Sequence, residues 1–235
     1  MPRLEWDKEN EKIYETGVDQ VVLYKRDNQG AYTIATAWNG VTGITESPDG
    51  AEPTDLYADN IKYVTLRSAE TLGLTLEAYM SPAEFDSCDG SAEIAPGVVA
   101  GQQNRESFGL CYRTIVGNDT QNNNYGYKYH LIYGCTASPS EKGYETVNDS
   151  PDAITFSWEI STTPVNLAGF KPTASIIINS ATADSAKLTT LLDILYGTSE
   201  TQARLPLPSE IMSIMGTAVT PPADEDDGED VNPAG

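Results

Sequence analysis

The sequence predicts a mainly β protein, a single β-sandwich with one α-helix on its flank. Three observations predict it. Phe108, Leu110 and Tyr112 fall on one face of an extended chain, and Tyr125, Tyr127, Tyr129, Leu131 and Tyr133 recur at every second residue. That is the period of a half-buried strand. Between them, residues 117–124 are almost all turn-forming types, so the two runs read as a long antiparallel hairpin with a solvated tip. Only Leu188, Leu191, Leu192 and Leu195 keep a strong helical spacing, i, i+3, i+4, i+7.

In chain order, residues 1–13 are polar and predict an arm or edge segment. Residues 18–24 and 31–38 are strands joined by a turn at 25–30, and 41–45 resumes a strand after Asn39-Gly40. Residues 46–60 carry two prolines, one glycine and the carboxylates Glu46, Asp49, Glu52, Asp55 and Asp59, which predicts a long exposed loop. Residues 61–67 and 72–79 alternate as strands. Ser81-Pro-Ala-Glu84 matches a capping box, predicting a short helix through Phe85 and Cys88 that stops at Gly90. Residues 91–104 read as irregular.

A hairpin tip centred on Asn123 sets Cys111 opposite Cys135, most simply as two small buried thiols. Residues 136–151 are loop, with a turn at Asn148-Asp-Ser-Pro151. Ile154, Phe156, Trp158 and Ile160 share one strand face, and residues 171–179 form the last strand. Asp184 or Thr182 caps the helix of residues 183–196, and Gly197 ends it. Residues 203–216 read as a proline-punctuated arm. Residues 217–235 are an acidic tail with nothing to bury, expected to be disordered.

Composition narrows the function. The chain has 235 residues, 39% of them hydrophobic, and a formal charge of −21 from 14 basic and 35 acidic residues. Six of the acids lie in the tail, leaving 29 acids against 14 bases elsewhere. Proteins that grip nucleic acid cluster Lys and Arg against phosphate; here Lys25-Arg26 is the only adjacent basic pair. No leader or membrane span is read in the sequence, so the expectation is synthesis in a reducing cytosol, with Cys88, Cys111 and Cys135 unpaired.

No catalytic constellation is legible. His130, the only histidine, lies between Tyr129 and Leu131, with no nucleophile elbow to serve. It reads as a strand histidine on a wet or mixed surface. Zinc spacings, a phosphate loop and a dinucleotide fingerprint are all missing, so no metal, cofactor or enzymatic activity is expected. The thirteen tyrosines suit sheet packing and protein interfaces equally.

Longer strings carry a resemblance. They are Tyr14-Glu-Thr-Gly-Val-Asp-Gln20, Trp38-Asn-Gly40, Glu46-Ser-Pro-Asp-Gly-Ala-Glu-Pro-Thr-Asp-Leu-Tyr-Ala-Asp-Asn-Ile-Lys-Tyr63 and Gly101-Gln-Gln-Asn-Arg105. Further strings run from Phe108 through Asp119, over Ala137-Ser-Pro-Ser-Glu-Lys142 and Asn148-Asp-Ser-Pro151, and over Phe156-Ser-Trp-Glu-Ile-Ser-Thr-Thr-Pro164 and Leu205-Pro-Leu-Pro208. In these the chain resembles the major tail proteins, or tail tube proteins, of long non-contractile-tailed, siphovirus-type bacteriophages of Gram-positive hosts.

The resemblance implies a tail-tube-type β-sandwich over residues 14–216, with one flanking helix and long loop and arm extensions. It implies a virion protein made in the host cytoplasm. Six copies would form a ring, and stacked rings the tube that delivers DNA without binding it tightly. Partners would be its own copies, the tape-measure protein, the tail-tip or distal tail proteins and the tail terminator. Glu46, Asp49, Glu52, Asp55, Tyr57 and Asp59 are then the candidates for ring-to-ring contact. Leu205, Leu207 and Ile211 are the candidates for an arm crossing to a neighbour. A carbohydrate- or receptor-binding β-sandwich is the main rival. A two-carboxylate hydrolase is the second.

Overall fold

The computed structural model describes residues 3–50, 52–147, 149 and 152–216. The expected acidic tail, the first two residues of the expected N-terminal arm and most of the expected 148–151 turn lie outside the described residues. The strands are β1 (Ile13–Arg26), β2 (Tyr32–Ala37), β3 (Val41–Asp49), β4 (Pro53–Ala58), β5 (Ile61–Arg67) and β6 (Thr71–Ala78). Then come β7 (Ala92–Ala95), β8 (Val98–Ala100), β9 (Phe108–Asn118), β10 (Asn122–Ala137), β11 (Phe156–Thr162) and β12 (Ser175–Asn179). Two helices follow, α1 (Ser185–Tyr196) and α2 (Pro208–Met215).

The protein is mainly β, as its alternating patterns predict. One antiparallel sheet runs β2-β1-β9-β10-β11-β6-β3, with β12 also on β10. Its two halves face each other. Val21, Leu23, Phe108, Leu110, Tyr112 and Ile132 meet Leu74, Leu76, Trp158 and Ile160 in one core. At its centre the Phe85 ring sits 4.6 Å from Trp38, 5.4 Å from Phe108 and 5.7 Å from Trp158. The last two contacts are edge-to-face, the geometry aromatic quadrupoles favour.

A second core lies on the other side of β1, β9 and β10. Tyr24, Tyr129, Leu131 and Tyr133 pack there under Leu188, Leu191 and Leu195 of α1. Central strands covered on both faces explain why residues 129–135 are all buried. The crossover is at Gly134 (φ +60°), where the ladder slips between Ile132 and Cys135. A Cβ there would lie 2.2 Å from the Thr163 carbonyl oxygen. The bulge sends Tyr133 to the helices and Cys135 to the sandwich core.

Several expectations are corrected. The described residues of 46–60 are not one long loop. They finish β3 and form β4, which pairs with β5 in a separate two-stranded sheet. Residues 61–67 are the expected strand, but in that hairpin and not in the main sheet. Residues 92–100 form another small hairpin, β7–β8. The capping box makes no capping bond, and only a single 3₁₀ turn forms at Ala83–Phe85. Phe85 is pulled into the aromatic core, so tertiary packing overrides the local helical signal.

Cys111 pairs with Leu131, and Cys135 with Phe108, because the tip closes between Asn118 and Asn122. All three cysteines are free and buried. Residues 203–216 do not extend as an arm. Leu205 bridges Tyr32, and the second, unexpected helix α2 follows with Pro208 in its first turn. Asp184, one of the two expected caps, accepts the Ala186 and Lys187 amides at 3.0 Å each, and Gly197 (φ +76°) ends α1.

Candidate functional site

The β4–β5 hairpin stands apart from the main sheet. Its two-residue turn is Asp59-Asn60, both at positive φ (+52° and +66°), the type I′ geometry that matches strand twist. One face is polar: Lys62 pairs with Asp55 at 2.8 Å, and the Thr65 hydroxyl donates to Asp55 at 2.7 Å. The other carries Leu56, Val64 and Leu66, with Leu56 and Val64 directly opposed across the pair. All three are exposed, as are Tyr57, Ile61 and Tyr63. Such a hairpin is marginal in water unless a further surface covers it.

A second surface lies on the outer side of β3, β6 and β11. Register aligns three outward rows across these strands: Ser157–Glu77–Gly43, Glu159–Thr75–Thr45 and Ser161–Gly73–Ser47. The inward rows between them are core, including Trp158–Leu76–Ile44. The outward rows hold Ser, Thr, Gly and Glu alone, with no base and no large apolar group. Such a face lacks the Trp, Tyr and Arg anchors of protein interfaces and the cations that hold phosphate.

The predicted contact residues divide. Asp55, Tyr57 and Asp59 sit on the hairpin, and Tyr57 is 70% exposed. Asp49 ends β3, and exposed Glu52 precedes β4. Glu46 turns inward. Its Oε1 accepts the Tyr112 hydroxyl and lies 3.4 Å from His130 Nδ1. Leu205 and Ile211 are buried in the chain's own second core, while Leu207 is 41% exposed at the start of α2.

His130 is also unlike its expectation. It is buried, 8% exposed, and stacked on Tyr112 with ring centroids 4.6 Å apart. Its Nε2 lies 3.1 Å from Thr114 Oγ1 and 3.6 Å from Glu15 Oε1. Glu15 also holds the Lys128 ammonium. The contact with His130 is the main influence lowering the Glu46 carboxyl below the ordinary glutamate range; burial opposes it and the Tyr112 hydroxyl reinforces it. For Glu15 burial acts upward, but Lys128, Thr114 and His130 together outweigh it and its acidity is increased. Sequence reasoning missed this cluster because its members come from four strands.

Among the described residues, no group of three or more His, Cys, Asp or Glu side chains is placed to hold a metal ion. No described helix is long and apolar enough to cross a membrane. An open groove beside Glu46 is lined by Pro48, Leu72, Pro164, Lys171 and Pro172, and by no aromatic residue.

No protein-family model matches the chain, and no curated protein matches it. Among solved structures it is similar to a chain in the cryo-EM structure of the anti-feeding prophage (AFP) baseplate, 6-fold symmetrised. The likeness covers 68% of this chain and 92% of that one, at 9% identity and a TM-score of 0.32. So distant a likeness assigns no function.

Proposed function

We propose that this protein is a structural subunit of a phage tail tube. It joins copies of itself into hexameric rings that stack into a hollow conduit for DNA. The observation that carries the reading is the β4–β5 hairpin, a projecting two-stranded sheet with one apolar face uncovered. Burying Leu56, Val64 and Leu66 against a second copy supplies the third surface that an isolated hairpin lacks. A head-to-tail contact of this kind repeats without closing, as a stack of rings requires.

The Ser/Thr/Gly/Glu face of β3, β6 and β11 supports the same reading. A bore through which DNA passes must not hold phosphate, and this face offers small hydroxyls and two carboxylates. Tape-measure, tail-tip and terminator proteins are the further partners of this reading, and the virion tail is its location.

Sedimentation velocity over a concentration series, with negative-stain electron microscopy of the top sample, tests it. Rings or tubes are expected. A chain that stays monomeric throughout and is retained on a glycan array fits the carbohydrate-binding rival and overturns the proposal.

A further inference from the structure

We infer that His130 is a proton-held latch between the two halves of the sandwich. With a proton on each ring nitrogen, it ties Glu46 of β3 and Glu15 of β1 to the β9–β10 ladder. It thereby fixes the strand that leads into the β4–β5 hairpin. The latch stands whatever the hairpin docks against.

The hydroxyl protons beside the ring are already committed to the two carboxylates. The Tyr112 hydroxyl donates to Glu46 Oε1, and the Thr114 hydroxyl donates to Glu15 Oε1. Thr114 has therefore spent its only proton, and its oxygen, 3.1 Å from His130 Nε2, is left to accept. On the other side of the ring, Nδ1 has no formed hydrogen bond and lies 3.4 Å from Glu46 Oε1. An ionised carboxylate oxygen only accepts. Both ring nitrogens thus face acceptors. A neutral imidazole carries one N–H and would aim a lone pair at one of them; the imidazolium satisfies both.

The groups around the ring come from several elements. Glu15 comes from β1, Glu46 from β3, Tyr112 and Thr114 from β9, and Lys128 from β10 itself. β12 brings only Ile177 opposite His130. Lys128 is taken by Glu15, and Lys171 lines the groove beside Glu46.

The consequence falls on β3. It is the end strand of the main sheet, hydrogen-bonded to β6 on one side. Among the described residues, Glu46 is the β3 side chain whose hydrogen bond reaches the opposite half of the sandwich. Loss of a ring proton sets a lone pair against an acceptor, leaves Glu46 held by the Tyr112 hydroxyl alone and loosens the hairpin root.

A single histidine makes the test clean. In the full chain, ¹⁵N NMR of the imidazole and amide exchange of residues 44–47, corrected for intrinsic rates, are followed through one pH series. Both ring nitrogens should be protonated while β3 is protected. Protection should fall at least roughly tenfold as one ring proton is lost, the scale of one charge-assisted hydrogen bond. Glu46→Gln, which keeps the side-chain size, should fold, lower β3 protection by a similar factor and remove its dependence on ring protonation. A singly protonated ring with β3 still protected would overturn the latch, as would unchanged protection in Glu46→Gln.

Discussion

The Tyr24 hydroxyl donates to the carbonyl oxygen of Leu195 at 2.6 Å, in the buried layer between β1 and the last turn of α1. This bond joins the sheet to a helix end whose carbonyls have no intrahelical donor. Burial pushes the Tyr24 phenol far above its ordinary range, so it stays a donor. Tyr24→Phe leaves that carbonyl unsatisfied and should cost about 1–2 kcal/mol. The urea midpoint should fall with an unchanged slope.

Phe85 should matter more than its position in a single 3₁₀ turn suggests. It is fully buried between Trp38, Phe108 and Trp158. Phe85→Ala should cost about 3–5 kcal/mol through lost burial and the cavity left behind. Asp184→Ala removes the α1 cap alone and should cost about 1 kcal/mol. Chemical denaturation of the two variants side by side checks the ordering.

That contrast also shows what was legible in the sequence. The alternation of residues 108–116 and 125–133 located the central strands, because burial on a sheet face leaves a period of two. The leucine spacing and Asp184 located α1 to within two residues. The region at 46–60 was hidden by chemistry that usually breaks strands. Pro48 is tolerated because β3 is an end strand, and Pro53 because it opens β4. Asp59-Asn60 makes a turn that Gly more often supplies. The Glu15–Glu46–His130 cluster left no local trace, since only the fold brings positions 15, 46 and 130 together.

Acid should loosen this cluster. Glu46 is held below the ordinary glutamate range chiefly by His130, so folding favours its ionised form. Its contribution to stability is therefore full above about pH 4.5 and is lost as pH falls through the lowered folded value. Thermal melts from pH 7 downward should show a steeper acid limb in the native chain than in Glu46→Gln. Superimposable acid limbs would remove Glu46 from the account.

Substitution on the hairpin separates folding from assembly. Leu66 is exposed and lies beside Leu56 and Val64. Leu66→Glu should change monomer stability by no more than about 0.5 kcal/mol while abolishing rings and tubes. Lys62→Ala, on the polar face, should leave assembly largely intact, because a half-exposed ion pair contributes little.

Charge sets the conditions for assembly. Copies with a formal charge of −21 repel one another. Salt screens that repulsion over about 10 Å at 0.1 M, so association should rise with ionic strength, as read by sedimentation velocity. A rate that is flat or falls with salt would show that electrostatic restraint is the wrong account.

The most direct measurement is a cryo-EM reconstruction of concentrated protein at raised salt. The account predicts a hollow particle whose wall is built from this chain. Its bore should be lined by Thr45, Ser47, Thr75, Glu77, Glu159 and Ser161, and the Leu56–Val64–Leu66 face should be buried on a neighbouring copy. A bore lined by Lys and Arg, or a lone globule at every concentration and salt, would contradict it.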